Sequence, residues 1–358
     1  MKMLGYLKKN QDDFETTPFN VVDALLISWM AYFDFAPVKD QLPLKIGDFE
    51  YLDEYKELEP YESSFFPRFS RRFMHRLAIS KRFKKAELVD CEYIIDKKQA
   101  AQFAVVAVKI KDEIIIAVRG TDPSYAGWKE DFAMSYKDHI NSYAYAEHFV
   151  KRIIKQHKEK VVLCGHSKGG NICTYVLSQI EDDSRISRVY SFDGPGFRAN
   201  GLFKGKEERL NKFTKFVPQS SVVGVLFSNE TDIKIIKSRS VVILQHNIFE
   251  WVIKDNDFVY VKKRTLSSRY LEKSFNSWIE SLNQKDKERF TEIIFGELDK
   301  TDAEDIAVFF KRILLQIKPV YKAYRGLDKE DKKLIFRVFS KLIKNFIKPE
   351  SKKIKQIS

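Results

Sequence analysis

The strongest constraint on the fold comes from residues 161–179, which read VVLCGHSKGGNICTYVLSQ. A short, unbroken apolar run such as VVLC is typical of a strand that is covered on both faces. Glycines then surround Ser167, and the residues after them have helical character. This segment therefore predicts a buried strand, a tight turn that carries Ser167, and a helix.

The residues before this segment predict helices and a hairpin. Asn20 can cap a helix, and Asp23, three residues later, can bond back to the amide of residue 20. Over residues 101–119, two apolar runs rich in β-formers flank a polar Lys-Asp-Glu turn, which indicates a β-hairpin. Residues 141–158 follow with helical periodicity.

After the Ser167 segment, further strands alternate with crossovers. The runs RVYSF, KFTKFVPQ and IKIIKSRSVVILQ are strand candidates, so the chain predicts an α/β fold with a mostly parallel central sheet flanked by helices. From about Ser267 onward only charged helical patterns remain. We therefore expect a sheet domain with a helical lead-in over residues 1–265, and an α-helical extension with a basic tail over residues 266–358.

Composition favours a soluble, cytoplasmic protein. The chain has 358 residues and three cysteines without metal-ligand spacing, which predicts neither a disulfide framework nor a zinc site. The run VVDALLISWMAYFDFA is too short and too acidic to cross a bilayer, and no signal peptide is recognisable. The net charge of +13 favours anionic surfaces, but no nucleic-acid-binding motif accompanies it, so nucleic acid is not an expected partner.

Ser167 is the predicted nucleophile. Gly165 and Gly169 complete the pattern G-x-S-x-G, whose tight turn between a strand and a helix presents a serine above the sheet in the α/β-hydrolase fold. The amino terminus of the following helix would favour negative charge beside the serine. In this geometry the amide of Lys168 is one oxyanion donor, and its side chain is expected to be solvated.

A second oxyanion donor is expected in the loop that follows the earlier strand IIIAV. Thr121 could offer its amide, and also its hydroxyl, to an oxyanion, while the preceding glycine lets the backbone approach. Arg-Gly-Thr-Asp is also good turn chemistry, so an ordinary turn is the alternative interpretation.

Chain order selects the base. In the α/β-hydrolase fold the order is serine, acid, histidine, and His246 is the only histidine well downstream of Ser167. His166 adjoins the serine and points in a different direction across the elbow, so we do not take it as the base. The remaining histidines precede the nucleophile and are His75, His139, His148 and His157.

Asp193 is the preferred acid. It follows the strand RVYSF and begins the turn Asp-Gly-Pro-Gly, which could fix a carboxylate at the edge of the sheet. A plain turn aspartate is the competing interpretation. Glu230 and Asp232, which precede another strand candidate, are the alternative acids.

Several of these motifs resemble lipase-like α/β hydrolases. VRGTD followed by Trp128-Lys129-Glu130-Asp131 resembles a segment of the class-three, fungal-type lipases. The combination of GHSKGGN, SFDGPGF and QHNIFEW is similar to the bacterial, uncharacterised Mbeg-like family, over roughly residues 15–300. The resemblance implies Ser167 as nucleophile and His246 as base. The class-three acid cannot be carried over, because the corresponding run FVPQSSVVG has no carboxylate, whereas Asp193 partly resembles the D-P-A-G-P aspartate of pancreatic-type lipases.

These features favour a serine hydrolase of carboxylic esters, particularly lipid or acyl esters, that needs no metal or organic cofactor. The alternative is an inactive hydrolase fold that binds a lipid or a protein partner. Residues 328–348 carry apolar residues at helical spacing with lysines among them, so this helix could bind an anionic membrane peripherally. A helix packed on the protein with solvated lysines explains the same pattern.

Overall fold

A computed structural model describes residues 1–51, 67–96, 99, 101–122, 124–198, 201–227, 233–299 and 324–347. Its centre is an eight-stranded sheet in which the spatial order of the strands follows the chain. These strands are β1 (Leu44–Lys45), β2 (Glu87–Asp96), β3 (Ala101–Ile110), β4 (Glu113–Val118), β5 (Lys160–His166), β6 (Ile186–Phe192), β7 (Phe213–Pro218) and β8 (Ile233–Ile236).

The sheet changes from antiparallel to parallel at β4. Strands β1 to β4 pair antiparallel, and β3 and β4 form the predicted hairpin, in which Val105 lies opposite Val118. From β4 to β8 every pairing is parallel. The predicted α/β-hydrolase fold with a mostly parallel sheet is confirmed, and the carboxyl ends of β4 to β8 meet at one edge.

Helices cover both faces of the sheet. On one face α2 packs against β4 and β5, and on the other face α5 packs on β3 while α6 packs on β5 and β6. Each face has its own apolar core. The described helices are α1 (Met3–Lys9), α2 (Val21–Met30), α3 (Pro67–Ala78), α4 (Tyr125–Ala133), α5 (Asn141–Gln156), α6 (Lys168–Gln179), α7 (Leu266–Ser281), α8 (Gln284–Asp299) and α9 (Lys329–Ile347).

The predicted cap of α2 is present. Asn20 Oδ1 accepts hydrogen bonds from the amides of Val22 and Asp23, and Asp23 returns a bond to the amide of Asn20. Asp23 also pairs with the buried Arg82, whose guanidinium donates to it at 2.8 Å and 2.6 Å. The cap thus fixes the first turn of a helix that is almost entirely buried against the sheet.

The predicted strand IKIIKSRSVVILQ is only partly correct, because its first four residues form β8 whereas its second half, SVVILQ, does not form a strand. Residues Val242–His246 form a 3₁₀ helix instead, and a short hairpin of β9 (Ile253–Lys254) and β10 (Asp257–Phe258) follows it. Val242 has a φ of 44°, which interrupts any extended run. Val241, Val242 and Leu244 are exposed rather than buried in the sheet, with Leu244 50% exposed.

The C-terminal helices pack together beside α4. Leu282, Phe290, Leu334 and Val338 form their shared core, against which Phe132 of α4 also packs. α7 begins after Thr265, whose hydroxyl accepts from the amide of residue 268. The division of the chain at residue 265 stays a prediction. Within the described ranges, none of the helices has both the length and the hydropathy needed to cross a membrane.

Candidate active site

Ser167 lies on a strained turn between β5 and α6. Its φ of 58° and ψ of −132° place a non-glycine residue in a region that costs free energy and is typical of functional turns. A Cβ on Gly165 would lie 2.3 Å from the carbonyl carbon of Gly169, and a Cβ on Gly169 would lie 2.0 Å from Val118 O. Both glycines are therefore required by close packing of the turn against the strands.

The backbone holds the Ser167 turn at the edge of the sheet. The amide of Ser167 donates to Phe192 O at 2.9 Å, at the carboxyl end of β6. α6 begins at Lys168, so its amino-terminal amides are directed toward the serine. Within the described residues, the side chain of Ser167 makes no hydrogen bond.

Asp193 and His246 are brought together from positions 53 residues apart. His246 Nδ1 lies 2.7 Å from Asp193 Oδ2, and the Asp193 side chain is fully buried. The other carboxylate oxygen accepts from Ser221 Oγ at 2.5 Å and from the amide of Gly224 at 3.2 Å. Asp193 is therefore fixed on both oxygens, and among the described residues Nε2 of His246 makes no hydrogen bond.

His166 is engaged on both ring nitrogens. Its Nε2 lies 3.0 Å from the carbonyl oxygen of His246 and must donate there, so its Nδ1 accepts from the Tyr32 hydroxyl at 2.9 Å. Burial, together with the neighbouring His246, holds the pKa of His166 well below its ordinary value. His166 therefore stays neutral, and it fixes the backbone of His246.

Thr121 lies in the loop after β4, close to the nucleophile. A Cβ placed on the preceding glycine would lie 2.9 Å from Ser167 Cβ. The Thr121 hydroxyl donates to Asp131 Oδ2 at 2.7 Å, so it is directed at that carboxylate. A buried ion pair of 2.9 Å between Arg119 and Asp122 holds the loop. Within the described residues, the amides of Thr121 and Lys168 have no hydrogen-bond acceptor.

The expectation of a solvated Lys168 side chain is wrong. The residue is 1% exposed, and its ammonium contacts Glu130 Oε2 at 2.8 Å and the backbone carbonyl of Gln102 at 3.0 Å. Glu130 also accepts hydrogen bonds from the amide and hydroxyl of Ser142, at the start of α5. This buried network ties the first residue of α6 to α4 and β3.

Asp131 has a raised pKa. Burial raises the pKa of Asp131 to about 6, although the nearby positive charge of Lys168 and the Thr121 hydrogen bond act in the opposite direction. Its Oδ1 is buried and has no hydrogen-bond partner among the residues that the structure describes. The residue borders the cavity beside Ser167.

Ser167, His246, Thr121 and Asp131 border one cavity of about 550 Å³. Its other walls are largely apolar and come from α4, the loop after β7, α7 and the start of α8. They include Trp128, Phe132, Val222, Leu226, Phe275, Trp278, Ile279, Leu282 and Phe290. A cavity of this size suits a small organic ligand with a substantial apolar part.

The structure brings most of the predicted site residues together, but two of them lie outside its described residues. Ser167, His246, Asp193, Thr121 and Lys168 lie together, whereas Glu230 and Asp232 fall outside the described residues. The sequence analysis missed Tyr32 and the cavity walls from α7 and α8. These residues are far from Ser167 in the sequence, and a local pattern cannot predict contacts between such distant segments. Groups of three or more His, Cys, Asp or Glu side chains suited to a metal ion do not occur in the described part of the chain.

Solved structures with similarity to the chain include fungal lipases. The Lip2 lipase from Yarrowia lipolytica is 13% identical with a TM-score of 0.34, over 46% of this chain and 69% of the lipase. A mutant form of MDLA from Penicillium cyclopium is 11% identical with a TM-score of 0.37, over 66% and 85% of the two chains. Comparison with curated protein sequences gives no match.

A family profile agrees with the resemblance that the motifs indicated. The profile, described as Mbeg1-like, matches residues 77–296 and so contains Thr121, Ser167, Asp193 and His246. The match begins later than the expected residue 15 and ends near the expected residue 300. Because it spans more than half of the 358 residues, the chain belongs to the Mbeg1-like family.

Proposed function

We propose that this protein is a serine hydrolase that cleaves carboxylic esters of apolar acyl groups through an acyl-enzyme on Ser167. The observation that carries the proposal is the hydrogen bond from His246 to a buried, doubly fixed Asp193, beside a serine on a strained strand-to-helix turn. A nucleophile, a base oriented by a third group, and free amide donors form the combination that acyl transfer requires.

In the first half of the reaction, His246 Nε2 accepts the Ser167 hydroxyl proton while Oγ attacks the ester carbonyl carbon. The carbonyl oxygen becomes an oxyanion, which the amides of Thr121 and Lys168 stabilise together with the amino terminus of α6. The carbon–oxygen bond to the alcohol then breaks, and the leaving alkoxide takes the proton from His246. The products are the free alcohol and an ester between the acyl group and Ser167.

In the second half, His246 removes a proton from water as the water attacks the acyl-enzyme. The second tetrahedral intermediate collapses, Ser167 regains its proton from His246, and the carboxylic acid leaves. Asp193 stabilises the protonated imidazole of His246 through their hydrogen bond. His166 keeps the His246 backbone in place, and it needs no change of protonation to do so.

The shape and lining of the cavity support an apolar acyl group. Aromatic and aliphatic side chains from α4 and α7 surround the space next to Ser167, so each acyl methylene that enters leaves water for an apolar wall. Such a transfer contributes about 0.8 kcal/mol per methylene. We therefore expect catalytic efficiency to rise from acetyl esters to esters of medium-length acyl chains.

An active-site-directed fluorophosphonate tests the proposal. The wild-type protein should be labelled and should hydrolyse a graded series of 4-nitrophenyl esters, whereas Ser167→Ala should do neither. Ser187→Ala, a change in β6 away from the cavity, is the matched control and should behave as wild type. Persistent labelling of Ser167→Ala would refute the assignment of the nucleophile. A wild type that binds acyl esters without turnover would favour an inactive, ligand-binding hydrolase fold instead.

A further inference from the structure

A buried lysine lies in the wall of the cavity that contains Ser167. Lys287 belongs to the first turn of α8, lines the cavity, and is 9% exposed. Its ammonium donates to the backbone carbonyl of Ser135 at 3.2 Å. Among the described residues, no carboxylate lies within ion-pair distance of it.

The surroundings of Lys287 disfavour a positive charge. Burial of an ammonium is costly unless it is paired, and the amino-terminal turn of a helix already carries partial positive charge. Burial and the nearby Arg198 lower the pKa of Lys287, and only the charge of Glu280 opposes them. A methionine or leucine at this position would fit the apolar wall at a lower cost, so the fold alone does not account for a lysine here.

An anionic group on a bound molecule would account for a lysine at this position. Leu282 and Phe290 line the same cavity, and apolar surroundings strengthen the attraction between an ammonium and an anion. We propose that Lys287 binds an anionic oxygen group of the ester substrate, a phosphate or a carboxylate, so that the substrate is an acyl ester with one anionic group next to its apolar part. This inference rests on the proposed function, because Lys287 and Ser167 line one cavity.

Kinetics on matched substrate pairs provide the first test. One pair is a 1-acyl-glycerol 3-phosphate and the corresponding 1-acyl-glycerol, which places the charge on the alcohol side. The other is the mono-4-nitrophenyl ester of suberic acid and 4-nitrophenyl octanoate, which places it on the acyl side. The wild type should favour the anionic member of one pair by at least about ten-fold in kcat/KM, equivalent to about 1.4 kcal/mol.

Variants connect that preference to Lys287. Lys287→Met should abolish the preference through a higher KM for the anionic substrates, whereas Lys287→Arg should retain most of the preference. Lys285→Met removes the same charge from an exposed position on the same turn and should behave as wild type. A preference that survives in Lys287→Met, or an absence of preference in the wild type, would overturn the inference.

A binding measurement separates this inference from the proposed function. Calorimetry on Ser167→Ala with decyl phosphate, decanoate and decanol should show binding of at least one anion about ten-fold tighter than binding of the alcohol. The difference should disappear when Lys287→Met is added. If no ester is hydrolysed while this difference persists, the hydrolase assignment fails and the anion site stands. Equal binding of all three ligands refutes the anion site alone.

A second observation concerns α9. Phe336, Phe339, Ile343 and Ile347 recur at helical spacing along one side of this helix and are 73%, 47%, 60% and 78% exposed. The opposite side packs into the core shared with α7 and α8. We call these four residues the α9 stripe.

Basic side chains accompany the stripe. The helix carries six lysines and arginines against two acidic residues, and the acidic residues lie in its first turn. An exposed apolar stripe with flanking basic residues is the pattern of helices that lie in the interface of an anionic membrane. We propose that the α9 stripe docks on an anionic lipid surface, with the apolar side chains among the acyl chains and the lysines at the headgroups.

Vesicle binding tests this docking. The protein should co-sediment with phosphatidylglycerol vesicles at low salt and much less with phosphatidylcholine vesicles. Phe336→Ser/Ile343→Ser should reduce binding by at least about ten-fold. Leu210→Ser, an exposed apolar change on another surface, is the control.

Two results would overturn the docking proposal. The first is unchanged vesicle binding by the double variant. The second is self-association of the wild type in sedimentation velocity without lipid that the same double variant abolishes, because the stripe would then bind a second copy of the chain. Thermal unfolding of the variant confirms that it folds.

Discussion

The side chain of His246 is held by Asp193 through a hydrogen bond of 2.7 Å, while its backbone carbonyl accepts from His166 at 3.0 Å. The imidazole is thus fixed from two directions. Asp193→Asn should reduce kcat by about 10²- to 10⁴-fold, because an amide can hold the wrong tautomer and cannot stabilise the imidazolium. Steady-state kinetics of the variant and the wild type measure this reduction in kcat. The exposed Asp182→Asn is the control, and a loss below about three-fold in Asp193→Asn would contradict the proposed acid.

Asp131 should make stability depend on pH. Its folded-state pKa of about 6 lies above the ordinary 3.8, so the folded protein binds this proton more tightly than the unfolded chain does. Stability from this group is therefore lost as pH rises from about 4 to about 6. Asp131→Asn should remove that loss. Urea unfolding at about pH 4 and about pH 8 measures the free energy of unfolding of the variant relative to the wild type, and this difference should be more favourable to the variant at the higher pH by on the order of 2 kcal/mol. Equal effects at both pH values would contradict the raised pKa.

The ion pair between Lys168 and Glu130 should behave as a buried pair. Lys168→Met leaves the Glu130 carboxylate buried without its cation, so we expect a loss of about 3 to 5 kcal/mol in the free energy of unfolding. Adding Glu130→Gln to Lys168→Met should restore part of the lost free energy of unfolding. Denaturant unfolding of the two single variants, the double variant and the exposed control Lys137→Met measures the coupling. Additive losses would show that the two side chains do not interact.

The wall from α7 should set the accepted acyl length. Ile279→Trp places a larger side chain in the cavity, so the longest acyl chains that the wild type accepts should lose efficiency mainly through KM, while acetyl esters stay unaffected. A series of 4-nitrophenyl esters measures the shift in optimum. Leu210→Trp, at a distant exposed position, should leave the optimum unchanged, and an unshifted optimum in Ile279→Trp would exclude this wall from acyl binding.

The role of Ser167 could be predicted from the sequence because its segment has a clear local pattern. A buried strand, a glycine-bounded turn and a helix follow one another within one short segment, and each has its own periodicity. Chain order selects His246, but the strand predicted directly before it is incorrect, because Val241, Val242 and Leu244 lie exposed rather than in the sheet. The residue was identified although its local structure was not.

Contacts that span the chain could not be predicted. Tyr32 and His166 are 134 residues apart, and Lys287 and Ser135 are 152 residues apart. Neither pair has a motif that would connect them. The burial of Lys168 was also hidden, because a lysine near a helix start is ordinarily solvated and only the fold shows Glu130 facing it.

The helices that cover the cavity come after every residue of the proposed triad. During synthesis the sheet, Ser167, Asp193 and His246 emerge from the ribosome before α7 and α8. The nascent chain therefore lacks the cavity walls that α7 and α8 supply until both helices have been made. Shielding of the nucleophile by these two helices thus follows the synthesis of the whole proposed triad.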